Sequence, residues 1–408
     1  MGKATLQTVV FGLALVTFAS MGMASSLTRA ADKLVADQIN SGSAADGSWP
    51  SEPNFAGEPT IGLCRAYEFT NNIAYKTAAE NGGAYSLDYA GYNAGTSSFS
   101  FALFPAEAYA MARLSAIQAT PASNQWRTAL VDNLNAVNTG TAIAAYQARE
   151  VSSAVYDVAR MTVAANYANH SSKTIWRDGL ITLLGGDLEN SAAPVMALGS
   201  AVWALASTGD MSTDTGEAWT GVQVMDLPGI LAEWQAPDDS FYTRFDNTQG
   251  EGFTETTVMG ALGLISADAS SASYSYSVEA AAAAGVLGSG VDNPGGEVYW
   301  GINNPLSGSK YFLAGETLEV VTSLGYNYRM LIAELGLTGP IGELEADYNQ
   351  DGRVNLADFV ILRGRFASAS TASAPLGNEV VGAPEPTTMI LMAAGGLAVI
   401  RRRRLRSM

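Results

Sequence analysis

Histidine and cysteine are almost missing from this 408-residue chain, which has one of each, His170 and Cys64. A single cysteine excludes an intrachain disulfide, and a single histidine leaves a zinc site without its usual ligands. Cys64 lies in Ile61-Gly62-Leu63-Cys64-Arg65-Ala66-Tyr67, where a small buried residue fits. His170, in an Asn-His-Ser-Ser stretch, reads as a surface residue between helices, and nothing links the two as nucleophile and base. Basic residues are also scarce, 22 against 39 acidic. That balance excludes nucleic acid as a partner and counts against a polyanionic one unless calcium bridges the two.

A long apolar run is missing as well. Residues 387 to 400 form a run of 14, short of the roughly 20 that cross a bilayer core. The run follows Pro384-Glu385-Pro386 and precedes Arg401-Arg402-Arg403-Arg404, an arginine cluster that the positive-inside rule keeps cytoplasmic. These three ordered parts resemble the PEP-CTERM sorting signal of exported bacterial proteins. The resemblance implies a transient hydrophobic helix in the inner membrane, cleavage near the tripeptide by an exosortase, and delivery to the cell surface or extracellular matrix.

The other end agrees. Lys3 supplies a positive start, Val9 to Ala19 an apolar stretch too short for a normal span, and Gly22-Met23-Ala24 small residues at a cleavage position. A signal peptide within residues 1–30, handled by the Sec translocon, is expected. The cut falls after Ala24 or after Ala30. Seven basic residues (Lys3, Arg29 and five tail arginines) and Glu385 lie in the end segments, leaving 15 basic against 38 acidic and a net charge near −23 for residues 31 to 383.

Residues 31–340 predict an all-α domain. Val195, Leu198, Val202 and Leu205, then Val258, Leu262 and Ile265, then Leu318, Val321, Leu324, Tyr328, Leu331 and Leu335 recur at helical spacing with further apolar residues behind them, the mark of interior helices. Gln125 to Val137 and Thr141 to Ala168 mix charge with apolar positions and suit an outer layer. Five segments put a small or acidic pair before a large apolar residue: Asp46-Gly47-Ser48-Trp49, Gly82-Gly83-Ala84-Tyr85, Gly185-Gly186-Asp187-Leu188, Asp238-Asp239-Ser240-Phe241-Tyr242 and Gly295-Gly296-Glu297-Val298-Tyr299-Trp300. They form an internal repeat, clearest between Gln38–Tyr67 and Gln235–Ile265. By itself the motif is structural, with glycines for left-handed turns and an aromatic wedge between helix pairs.

The repeat resembles that of the terpenoid cyclase and protein prenyltransferase superfamily, whose fold some polysaccharide lyases and hydrolases share. It implies an α/α toroid of helical hairpins. It does not carry cyclase chemistry, because only Asp238-Asp239 stands where an Asp-x-Asp-Asp acid cluster is needed.

A second module covers residues 341–366. Asp347, Asn349, Asp351, Arg353 (through its carbonyl), Asn355 and Asp358 fall at the ligand positions of an EF-hand-like calcium loop, with Gly352 at the sharp turn. With Phe359 to Phe366 behind it, the loop resembles half of a dockerin type I repeat and implies bound Ca2+. Dockerins pair two such segments, whereas residues 367–383 are a Ser/Ala/Gly linker before the sorting signal at 384–408. A cohesin partner is therefore doubtful.

Two functions fit. One is a surface-displayed domain that binds or cleaves extracellular polysaccharide, as lyase or glycoside hydrolase. The other is a non-catalytic structural protein of the extracellular matrix. For the first, Glu58, Glu255, Asp238 and Asp239 are the carboxylates expected at a catalytic rim, with Asp46 and Glu251 beside them, because they recur near helix starts that a toroid gathers at one end. Trp49, Tyr85, Tyr242 and Trp300 are expected to line the same concavity and stack on sugar rings.

Overall fold

In a computed structural model, residues 28–334 are described, apart from 212–216, 220, 247–251, 271–273, 275, 292–294 and 303 and the side chains beyond 323. The helices are α1 (Arg29–Asp37), α2 (Gly57–Thr70), α3 (Ile73–Tyr89), α4 (Pro105–Ala116), α5 (Gln125–Ala136), α6 (Thr139–Gln147), α7 (Val151–Tyr167), α8 (Lys173–Leu184), α9 (Pro194–Ser207), α10 (Leu227–Glu233), α11 (Thr254–Ser270), α12 (Ser277–Val291) and α13 (Tyr311–Glu334). Two small antiparallel hairpins complete the described elements, β1 (Glu217–Trp219) with β2 (Val222–Gln223) and β3 (Tyr299–Gly301) with β4 (Asn304–Ser309). No helix among the described residues is long and apolar enough to cross a membrane.

Six helices close a ring. α2 packs on α4, α4 on α7, α7 on α9, α9 on α11, α11 on α13, and α13 returns to α2. The others lie outside, each leaning on ring neighbours: α3 on α2 and α4, α5 on α4, α6 and α8 on α7, α10 on α9 and α11, α12 on α11 and α13, and α1 on α13 and α2. This is an α/α toroid, and the ring helices show why it forms. In α9 every residue from Pro194 to Ala206 is buried, since a helix flanked by two ring neighbours and an outer helix has no solvated face. The outer α5, by contrast, buries one stripe, Trp126, Ala129, Leu130, Asn133 and Leu134.

Glycines set how tightly the ring closes. A Cβ on Gly315 of α13 would lie 2.2 Å from the Glu58 carbonyl oxygen of α2, and one on Gly62 would lie 2.5 Å from the Gly315 oxygen. The backbones touch there, so only glycine fits.

The repeat takes the expected form in its clearest pair. Gln38 donates its side-chain amide to the carbonyls of Gly47 and Ala78, and Gln235 donates to those of Asp239 and Glu279. In both copies one glutamine closes its own turn and reaches the next outer helix. Trp49 and Phe241 follow as buried wedges.

Two expectations need correction. Gly82-Gly83 is not a turn but the middle of α3; the missing side chains make room for Trp49 and Thr60 beside Gly82, and for Leu114 and Trp126 beside Gly83. Thr141 to Ala168 is not one outer element either. It splits near residue 148 into α6 and α7, and α7 belongs to the inner ring because its charged residue Arg160 finds its partners inside the toroid.

Candidate functional site

The first turns of α2, α4 and α11 carry Glu58, Glu107 and Glu255. Carboxylates suit helix N-termini, where unsatisfied N–H groups and the helix dipole favour negative charge. Closing the ring brings these turns to one mouth, together with Tyr156 and Arg160 from α7 and Glu316 from α13.

Arg160 is the hub. Its Nη2 donates to Glu316 Oε1 at 2.8 Å and to the Tyr156 hydroxyl at 2.5 Å, and stands 4.0 Å from Glu58 Oε1. The guanidinium lies 3.6 Å from the Tyr156 ring centroid, a cation–π contact in a desolvated setting. Tyr156 also donates to Glu316, and its hydroxyl favours the charged form of Glu255.

Burial favours the neutral form of these carboxyls. Glu58, Glu107 and Glu316 are each buried, Glu316 with 1% of its surface exposed. Desolvation lifts Glu316 to about 8 despite Arg160, with Glu255 adding to the rise. It lifts Glu107 to about 7, although the Gly57 N–H and Arg160 pull the other way. Glu58 is pushed well above the usual carboxylate range by burial and by its neighbours Glu107 and Glu316, with Arg160 opposing. Burial also raises Glu255, against the pull of Arg160 and Tyr156. Burial works against charge on Arg160 too, but Tyr156, Glu316 and Glu58 outweigh it, and the guanidinium stays protonated. Several atoms of this cluster have no hydrogen-bond partner among the described residues: Glu58 Oε2, Glu107 Oε2, Glu316 Oε2, and Arg160 Nε and Nη1.

The cluster is packed on one side and partly exposed on the other. Below it, Tyr109 of α4 meets Trp203 of α9 edge-on at 5.1 Å and donates to Glu319 Oε1 of α13 at 2.7 Å, so three ring helices fill the axis. Above it, Tyr156 and Glu255 are half-buried. The mouth is ringed with aromatics on the segments that lead into the inner helices. Phe55, Phe104 and Phe253 precede α2, α4 and α11 and are 49%, 46% and 42% exposed. Phe55 stacks on Phe312 at 5.3 Å, and Trp300 meets Phe312 edge-on at 5.2 Å. On the other side Phe104, Phe101, Tyr89 and Tyr85 touch in series.

The expected residues are thus divided. Glu58 and Glu255 meet at Arg160 and Tyr156. Trp300 is half-buried against Phe312, whereas Tyr85 is 7% exposed and packs in the core beside Tyr89. Trp49 does not face a concavity: it is 1% exposed, wedged against Gly82, with its indole N–H on the Leu34 carbonyl at 2.8 Å. Tyr242 is half-buried and its N–H is bound to the Trp234 carbonyl. Asp238 accepts from Ser240 within its own turn, and Asp239 adopts φ 69° there. Asp46 likewise accepts from the N–H groups of Ser41, Gly42 and Ser43. Glu251, the calcium loop at 347–358 and the sorting tail lie outside the described residues.

Sequence reading missed Arg160, Tyr156, Glu107 and Glu316. Glu316 lies within the apolar pattern of α13, and Glu107 opens the Ala-rich α4 just after Phe104-Pro105; a charge at such a place is the signal that points to a buried partner.

Comparison with known proteins bears on both ends of this description. Residues 383–404 match the PEP-CTERM protein-sorting motif, which marks an exported protein sorted to the cell surface. No curated protein sequence matches the chain. Among solved structures, a polysaccharide lyase superposes with a TM-score of 0.51 at 11% identity, covering 79% of this chain and 99% of the lyase. At that identity the likeness is one of fold, and it supports the helical toroid.

Proposed function

We propose that the toroid acts on extracellular polysaccharide at the aromatic mouth and cleaves it by acid–base chemistry. One observation carries this reading: four carboxyls, a tyrosine and an arginine from five ring helices meet at one end of the toroid, where exposed aromatics precede the inner helices. A purely structural ring gains little from such a cluster, since buried ion pairs often stabilise less than apolar residues of the same size. Proton-holding carboxyls near neutral pH are what general acid catalysis requires.

In this reading Glu255, which keeps partial exposure, protonates the leaving glycosidic oxygen while a water molecule attacks the anomeric carbon. Glu255 regains a proton through the Tyr156 hydroxyl from Glu316, and the proton that the attacking water loses restores the cluster. Arg160 fixes Tyr156 and Glu316. A second reading, β-elimination on a uronate with Tyr156 as the base, rests on the contact between Tyr156 and Arg160 and on the fold likeness to a lyase; burial, which pushes the phenol well above its ordinary value although Arg160 opposes it, weighs against it. Incubation of the mature protein with neutral and acidic polysaccharides tests both. New reducing ends without unsaturated sugar indicate hydrolysis, and ultraviolet-absorbing unsaturated ends indicate elimination. Glu255→Gln and Tyr156→Phe should each lower cleavage by about 100-fold or more with the helical circular dichroism unchanged. Absence of cleavage on every polymer would leave the matrix-structural role.

The ends are read in the same way. Exosortase processing removes the residues after about Pro386. The signal peptide ends at Ala24 rather than Ala30, since a cut after Ala30 would divide α1, where Ala30 and Ala31 are buried and Asp32 donates its N–H to the Thr28 carbonyl. The loop Asp347–Asp358 binds Ca2+ in the micromolar to millimolar range of sensors and extracellular modules. Calorimetry on the mature protein, with loss of the heat in Asp351→Ala, checks this.

A further inference from the structure

Resting on the reading of the mouth as a polysaccharide site, we propose that the glycan it accepts carries free amino groups, a polymer of deacetylated hexosamine whose ammonium enters the carboxyl cluster.

The first argument is the balance of charge. Among the described residues Arg160 is the cation that pairs with Glu316 and stands 4.0 Å from Glu58, and its charge is felt by Glu107 and Glu255. Lys310, near the rim, lies 3.7 Å from Glu52, which also accepts the Phe312 N–H. The site therefore has surplus carboxyl, and it fills that surplus with protons. An arriving cation would take their place.

The second argument is the hydrogen-bond inventory. Glu58 Oε2, Glu107 Oε2 and Glu316 Oε2 belong to residues 6%, 5% and 1% exposed and find no donor among the described residues. An alkylammonium brings three N–H donors and a positive charge, the complement of such a surface. A uronate would bring further acceptors and negative charge. An acetamido group would bring one N–H and no charge.

The aromatic rim is consistent with this occupant. Ring faces attract ammonium groups as well as sugar C–H surfaces. Trp300 and Phe55 on one side, and Phe104, Phe101 and Tyr89 on the other, offer such faces around the segments that lead into the inner helices. The strongly acidic chain would draw in a polycation and repel a polyuronate over longer range.

Binding of the mature protein to short glucosamine oligomers, their fully N-acetylated counterparts and oligogalacturonates, compared by calorimetry at one pH and low salt, tests the proposal. The glucosamine oligomers should bind at least about tenfold more tightly than either of the others, a factor that corresponds to about 1.4 kcal/mol. Glu107→Gln and Glu58→Gln should each reduce that preference severalfold with the fold intact by circular dichroism. Asp178→Asn, on the outer surface of α8, should leave it unchanged. Equal or tighter binding of the acetylated or uronate oligomers overturns the amino-sugar assignment while leaving the mouth a polysaccharide site. An equal loss in Asp178→Asn would show only attraction to the acidic surface and overturns it too. No binding of any of the three classes removes the polysaccharide reading on which the proposal rests.

Discussion

Substituting Gly315 by alanine probes the point where ring closure and site assembly meet. The added Cβ would lie 2.2 Å from the Glu58 carbonyl oxygen, 2.3 Å from its carbon and 2.6 Å from the Pro59 nitrogen. All three are backbone atoms of α2, so no side chain can swing away. Reaching ordinary van der Waals distance requires α2 and α13 to separate by about 1 Å. Overpacking of this kind costs roughly 1–3 kcal/mol, against which alanine gains up to about 1 kcal/mol in helix propensity over glycine. A net loss of up to about 2 kcal/mol is expected, read as a lower urea midpoint with unchanged slope. Gly140→Ala provides the control. Its Cβ would meet nothing nearer than Asn138 Oδ1 at 3.7 Å, so propensity alone acts and the midpoint should rise slightly. Because Gly315 precedes Glu316 and presses on Glu58, the same variant should lower any glycan-cleaving activity more than its stability loss explains. A Gly315→Ala protein as stable as the parent would refute the backbone contact that closes the ring.

Removing one member of the Arg160–Glu316 pair, by Glu316→Leu or Arg160→Met, should cost about 3 kcal/mol or more, because it strands a buried partner. The double variant should cost clearly less than the sum of the two, and an additive result in urea titrations would mean that the pair is not coupled. Stability should also fall as pH rises. Glu107 and Glu316 keep their protons in the folded chain up to about 7 and about 8, whereas the ordinary value is 4.5. The folded state thus binds more protons than the unfolded state across that window. Their stabilisation is complete below about pH 4.5 and is lost as pH passes through 7 and 8. Glu150, held at about 2 by its Ser152, Ser153 and Ala192 hydrogen bonds although burial opposes them, has the reverse dependence and loses its contribution only below 4.5. Thermal melts from pH 5 to 9 should therefore show a steady decline, and a maximum near pH 8 would contradict it. Mass spectrometry of the surface form should find no molecules that retain Arg401 to Arg406.

The sequence by itself determined the address and most of the architecture. The tripeptide, short apolar run and arginine cluster of the tail are contiguous, so their order can be read without a fold. The ring helices α9 and α11 were legible because a helix buried on all sides must be apolar on all sides, and the Gln38 and Gln235 repeats because each turn is closed by residues within a few positions of one another. Only the tertiary structure decided what the charged residues of the inner helices do. Arg160 lies 156 positions from Glu316, and periodicity on α7 alone assigns a charged residue to the surface. Its burial becomes favourable only when α2, α11 and α13 bring carboxyls against it, and the ring that does so closes where the backbones of Gly62 and Gly315 touch. The same closure separated Trp49 from Trp300. The two share a turn motif, but one fills the gap left by Gly82 while the other stands at the mouth, because packing against neighbouring elements, rather than the motif, sets which ring meets solvent.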